Sequence, residues 1–172
     1  MKRVLIPTDF SDNAWNAVQY ALALFKEEAC TFYLLNTYTP AIAHSRFMAS
    51  SLEEGLLSNA ALEASQKGLD KIITRIAASH KNSKHSFETI SSFSLLIDEV
   101  LETIAEHSID LVLMGTKGSS GLEEVFMGSN TVRIIKAVKD CPVLAIPQNF
   151  DYIKPTEIAF ATDFNRFYTI SE

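Results

Sequence analysis

The sequence has little of the material that several protein classes are built from. Its two cysteines, Cys30 and Cys141, lie far apart with neither CxxC spacing nor partner histidines nearby. A disulfide scaffold is therefore not the organising principle, and two buried, reduced thiols are expected. Basic charge is also in deficit: 15 Lys and Arg stand against 21 Asp and Glu, for a net charge of -6. Such a chain lacks the basic excess that general nucleic-acid binders and binders of anionic membranes carry, so neither partner is expected. No apolar run approaches the roughly 18 residues of a membrane span. The first apolar stretch ends at Pro7 after four or so residues, too short for a signal-peptide core, and a cytoplasmic location follows as the expectation. The four histidines, His44, His80, His85 and His107, show no metal-ligand spacing and are expected at polar surface positions. With 47% apolar and 10% aromatic residues, the chain is too hydrophobic for disorder and reads as an ordinary globular domain with one good core.

Strands and helices alternate along it. Residues 3–7 form a short apolar run ended by proline, which suits a strand buried on both faces. Ser11 or Asp12 can cap a helix to about Glu28, with Ala14, Ala17, Val18, Ala21, Leu22 and Phe25 at the spacing of one buried face. Thr31–Tyr38 is aromatic and β-branched and predicts a second strand. Residues 50–79 are helical by period, with Leu69, Ile72, Ile73 and Ile76 in register, and His85–Ser92 alternates weakly, as a less buried edge strand would. A helix from about Ser94 carries Ile97, Val100, Leu101 and Ile104 on one stripe. The strand Ile109–Met114, a glycine-rich loop, a helix over Asn130–Asp140 and the run Pro142–Ile146 complete a βαβαβαβαβ order. This alternation predicts an α/β fold with a parallel sheet covered on both faces by right-handed crossovers. Ligands of such sheets bind beyond the carboxyl ends of the strands, where the strand order reverses, and both Asp9 and Gly115 stand at carboxyl ends.

Glycine is scarce, yet Gly115, Gly118, Gly121 and Gly128 hold four of the six in a single run after an apolar strand. Glycine costs more conformational entropy than any other residue, so the cluster implies backbone at positive φ, close approach of a ligand, or both. The spacing Gly-x2-Gly-x9-Gly-Ser is neither a Walker A loop nor the GxGxxG fingerprint, though it shares their logic. Gly128-Ser129-Asn130-Thr131 starts a helix whose free amides and positive dipole end suit an anion, Ser129 and Thr131 add hydroxyls, and Lys117 adds a mobile charge. Plainer readings exist: Asp9 as a helix cap, Gly121 in an ordinary turn, Gly128-Ser129 as an unliganded N-cap, Lys117 solvated, and Phe47 and Met48 merely packing.

Together, the opening Val-Leu-Ile-Pro-Thr-Asp-Phe-Ser, the βα order and the Gly-x2-Gly-x9-Gly-Ser motif resemble the universal stress protein family, in its ATP-binding branch, over residues 1–147. The resemblance implies a Rossmann-like three-layer sandwich with a five-stranded parallel sheet ordered 3-2-1-4-5, and bound ATP, with magnesium or manganese left open. It places Asp9 against the adenosine, Thr37 near the adenine, Gly115, Lys117 and Gly118 along ribose and phosphates, and Gly128, Ser129, Asn130 and Thr131 around the phosphate tail. Pro7, Thr8 and Met114 complete the implied wall. It also implies a homodimer, or a pseudo-dimer of tandem copies, through the fifth strand. Residues 158–165 (Ile-Ala-Phe-Ala-Thr-Asp-Phe-Asn) echo the opening of the chain, so residues 148–172 are expected to be a linker and the first strand of an incomplete second repeat, with 157–163 pairing near 142–146. No glycine loop follows Thr162-Asp163, which limits the chain to one complete site.

Catalysis finds less support, with no Ser-His-Asp or Cys-His arrangement and no second carboxylate to hold magnesium beside Asp9. The expected function is that of a nucleotide-binding stress-response regulator. An empty dimerisation module and a slow ATPase are the alternatives. An adenylating synthetase would need glycines after strand one, and a phosphoacceptor receiver would need clustered acids there and an Asp ending strand three.

Overall fold

A computed structural model describes residues 1–39, 51–116, 127–148 and 150–159, with side chains in the long second helix described from residue 59 onward. Its elements are β1 (Lys2–Pro7), α1 (Asp12–Leu24), β2 (Cys30–Thr37), α2 (Ser51–Ser79), β3 (His85–Ser92), α3 (Leu96–His107), β4 (Leu111–Gly115), α4 (Ser129–Ala137) and β5 (Val143–Ile146). The strands pair in parallel in the order β3-β2-β1-β4-β5. β1 is central, with Val4 opposite both Phe32 and Leu111.

Side chains that alternate along each strand feed two separate cores. Val4, Ile6, Phe32, Leu34 and Leu113 pack against α1 and α2 through Val18, Ala21, Leu69, Ile72 and Ile76. Leu5, Tyr33, Leu35, Val112 and Met114 pack against α3 and α4 through Val100, Ile104 and Ile134. A sheet covered on both faces explains why β1, β2 and β4 read as nearly unbroken apolar runs.

The helices stop earlier than their periodicity suggests. α1 ends at Leu24 rather than near Glu28, because Phe25 leaves helical geometry (φ -96°, ψ 16°) and sets its ring edge-on to Phe32. α4 ends at Ala137 because Val138 turns extended and is buried in the second core. Cys30 and Cys141 are both free thiols, Cys30 buried and Cys141 half-buried.

Contrary to expectation, His80 and His85 are not surface residues. Both are half-buried with their rings stacked at 4.9 Å, and His85 lies edge-on to Phe32 at 5.0 Å. His107 is also half-buried, tilted against Tyr33 at 4.6 Å, while His44 falls outside the described residues. The edge position of β3 makes this possible, since a half-covered strand accepts an imidazole that keeps polar partners.

Beyond β5 the chain runs without helix or strand through residue 159, apart from residue 149, which is not described. Phe150 and Tyr152 set their rings against Tyr20 at 6.3 Å and 5.2 Å. Asn16 Nδ2 donates to the carbonyls of Pro147 and Phe150 at 3.1 Å and 3.2 Å, which ties this segment to α1. Of the expected second-repeat strand, residues 157–159 are irregular, and 160–163 lie outside the described residues together with the Thr162-Asp163 echo.

Candidate functional site

The topology reverses at the carboxyl ends of β1 and β4, where the crossover after β1 leads one way and that from β3 returns the chain to the other side. A cleft of about 190 Å³ opens there. Its walls include Pro7, Thr8 and Asp9 after β1, Thr37 at the end of β2, Met114 and Gly115 ending β4, and Gly128, Ser129, Asn130 and Thr131 at the start of α4. Ten of the twelve residues singled out from the sequence thus converge on one cavity; the other two, Lys117 and Gly118, lie outside the described residues, as do Gly121, Phe47 and Met48.

Each wall is held by a specific arrangement. The Thr8 amide donates to the Leu35 carbonyl at 2.8 Å, which continues the β1–β2 ladder one residue past the strand. Thr8 Oγ1 accepts from the Phe10 amide at 3.1 Å, and Asp9 Oδ1 accepts from the Ser11 amide at 3.1 Å and the Ser11 hydroxyl at 2.6 Å. Ser11 Oγ in turn accepts from the Ala14 amide at 3.2 Å and is the N-cap of α1. Asp9 is therefore not the helix cap. It orients the residue that is, from an exposed position on the cleft wall. The turn forces Phe10 to φ 65°, a left-handed conformation that costs a non-glycine residue about 1–2 kcal/mol.

The opposite wall depends on Gly115. A Cβ there would sit 2.5 Å from Asn13 Nδ2, 2.8 Å from Asn13 Cγ and 3.0 Å from the Asn13 carbonyl, so glycine allows the first turn of α1 to lie directly on β4. Neither Gly115 nor Gly128 adopts positive φ; Gly128, at φ -64° and ψ 150°, has a backbone open to any residue. Of the two reasons expected for these glycines, the left-handed backbone is found at neither, and close packing on Asn13 requires glycine at position 115. Thr131 is 2% exposed, and its hydroxyl donates to the Gly115 carbonyl at 2.9 Å, so its side chain locks α4 to β4 rather than offering a free hydroxyl to the cleft.

Gly128 caps α4 without any side-chain hydrogen bond, and its amide donates to the Thr116 carbonyl at 2.6 Å. The first-turn amides of a helix have no intrahelical acceptors, and the residues that carry them here, Ser129, Asn130 and Thr131, line the cleft at the positive end of the helix dipole. Asp9 is the one ionisable residue on the cleft wall among the described residues, and no group of three His, Cys, Asp or Glu side chains converges anywhere among them.

Sequence reasoning missed Asn36, whose Nδ2 donates to the Thr8 carbonyl at 2.7 Å and which joins the cleft wall together with Ala14 and Leu96. A polar residue closing the otherwise apolar Phe32–Leu35 run was the available signal. Asn13, on which Gly115 rests, left no signal at all, because nothing in a linear sequence connects residues 13 and 115.

The family model for the Universal stress protein family matches residues 1–147. A universal stress protein of Methanocaldococcus jannaschii is 30% identical over 147 residues, which cover 84% of this chain and 81% of the relative. Among solved structures, universal stress protein UspA from Lactobacillus plantarum superposes with a TM-score of 0.70 at 20% identity, covering 84% of this chain and 97% of its own. A universal stress protein family protein from Arabidopsis thaliana, solved with AMP bound, superposes with a TM-score of 0.55 at 14% identity, covering 87% and 93%.

Proposed function

Because the chain belongs to the universal stress protein family, we propose that it is an ATP-binding regulatory protein of the stress response whose nucleotide occupancy biases its conformation or its choice of partner. The observation that carries this reading is the start of α4, which has no side-chain cap and opens into a cleft at the topological switch point. An anion at a helix start gains only about 0.3–1 kcal/mol from the dipole, so hydrogen bonds from the amides of Ser129, Asn130 and Thr131 supply most of the phosphate affinity. Thr37 and Asn36 stand where the base would lie, Asp9 beside the adenosine, and Gly115 along the ribose, with Lys117 and Gly118 carrying the phosphates onward. Magnesium or manganese would ride on the phosphates, since no acidic cluster among the described residues offers a separate seat. The protein is a binder rather than a catalyst in this reading. AMP in the Arabidopsis relative supports an adenine nucleotide as the ligand class.

In this reading residues 1–147 form the binding unit, and 148–172 a linker and the first strand of a second repeat. Among the described residues strand β5 is an edge of the sheet, with Val143, Leu144 and Ala145 only half-buried, and pairing of a second copy or of the tail segment 157–163 along it would cover that edge.

Thermal unfolding of the full chain with and without ATP tests the binding claim. At an ATP concentration about 100 times Kd, binding adds about 2.7 kcal/mol, or roughly 5–11 °C in Tm for a domain of this size. Gly128→Val, whose backbone angles suit valine, should fold normally and lose that shift by crowding the phosphate seat. No shift at millimolar ATP in the native chain would sink the reading.

A further inference from the structure

A second cavity, of about 510 Å³, lies on the other side of the Thr8–Ser11 turn, between α1 and α2. Its apolar surface is made by Phe10, Trp15 and Ile72, and its rim by Lys67, Lys71 and Arg75. These three cations recur every fourth residue along α2 and so form one ridge beside the Ala64, Gly68, Ile72 ridge that floors the groove. Among the described residues no carboxylate lines this groove, in a chain whose net charge is -6. Lys67 pairs with Glu63 at 3.2 Å, both strongly exposed, a contact of the kind worth about 1 kcal/mol or less. Lys71 makes no ion pair among the described residues, and the Arg75 guanidinium lies 3.9 Å over the Trp15 ring, so one face of the cation is already stripped of water.

The aromatic wall is fixed in place at some energetic cost. Phe10 holds its left-handed backbone, and its ring presses on α2 where a Cβ at Gly68 would fall 2.3 Å from Cζ. A mid-helix glycine costs roughly 0.5–1 kcal/mol relative to alanine, and a strained φ persists only where its surroundings over-determine it. Two unfavourable choices thus converge to stand one aromatic ring at the mouth of a groove rimmed by cations.

We propose that this groove is a second ligand site, for a small amphipathic organic anion whose apolar body lies among Phe10, Trp15 and Ile72 and whose anionic head meets Lys71 and Arg75. The groove lies across the Thr8–Ser11 turn from the cleft, so its ligand need not compete with a nucleotide bound there.

Trp15 is the chain's single tryptophan and reports occupancy directly. The probe is 8-anilinonaphthalene-1-sulfonate, with uncharged N-phenyl-1-naphthylamine as its neutral counterpart, titrated against the full chain while Trp emission is followed. The expected result is saturable quenching with one dye per chain, at least about tenfold weaker binding of the neutral dye, and a similar loss in Lys71→Gln. Excess ATP should not displace the dye. Lys71 is exposed, so its variant should keep the native Tm and near-ultraviolet spectrum, and Arg75→Gln supplies a second reading of the same rim. Absence of saturable quenching, equal affinity for the neutral dye, unchanged affinity in both rim variants, or displacement by ATP would each overturn the proposal.

Discussion

Gly115→Ala is the smallest change that tests how the cleft is built. One added carbon would lie 2.5 Å from Asn13 Nδ2, 2.8 Å from Cγ and 3.0 Å from the Asn13 backbone carbonyl, and Asn13 is 4% exposed in the first turn of α1. The amide group cannot swing into solvent from that depth, and the carbonyl is backbone, so α1 itself must lift from β4 by several tenths of an ångström. Overpacking of this kind costs about 1–3 kcal/mol, which for a domain of this length lowers Tm by roughly 2–12 °C. Calorimetry of Gly115→Ala, Asn13→Ala and the double variant separates the causes. Removing the Asn13 amide clears the two shortest approaches, so the double variant should be more stable than the sum of the single effects by at least about 0.5 kcal/mol. A Gly115→Ala protein as stable as the native chain, or strictly additive effects in the cycle, would refute the claim that close helix–strand packing fixes glycine at this position.

His80, stacked on His85, makes stability sensitive to acid. His85 Nε2 lies 2.9 Å from the Phe25 carbonyl, so it donates there, leaving Nδ1 to accept from His80 Nε2 at 2.8 Å. Burial first, and the neighbouring His85 second, hold the His80 pKa below its ordinary 6.5. A depressed folded-state pKa means that the unfolded chain binds the proton more readily, so stability is intact above about 6.5 and falls as pH drops below it. Tm measured from pH 7.5 to 5 should show that slope, and His80→Gln should flatten it; an unchanged slope would remove His80 as the cause. Burial pushes the Cys30 thiol up to about 12 and also raises that of the half-buried Cys141. A disulfide-exchange reagent at pH 8 should therefore modify Cys141 first, and Cys30 only as the chain unfolds, which peptide mass mapping resolves; rapid modification of Cys30 in the native protein contradicts its burial.

Much of this was legible in the chain because the controlling signals are local. Apolar runs bounded by Pro7 and Gly115 gave β1 and β4 nearly to the residue, and the weak alternation of His85–Ser92 correctly marked an edge strand. The cleft could be assembled from a distance because strand ends in an alternating α/β chain must meet at the switch point. What stayed hidden depends on contacts between remote residues. Helix ends at Leu24 and Ala137 are set by where Phe25 and Val138 find their cores, not by a breaker in the sequence. Gly115 read as a site for positive φ or for close approach of a ligand, and only its contact with Asn13 shows a further, steric cause. His80 and His85 looked like surface polar residues because pairing across a helix end and a strand start cannot be read from spacing. Asp9 illustrates both sides, legible as a cleft residue by its strand end, yet orienting the cap of α1 through Ser11 in a way the sequence left open.

Isothermal titration of ATP into the 172-residue chain tests the central claim most directly. One ATP per chain, with Gly128→Val abolishing the heat while the variant keeps its native Tm, is the expected result. Absence of binding at millimolar ATP by the native chain, or undiminished binding by Gly128→Val, would contradict a nucleotide site built on the start of α4.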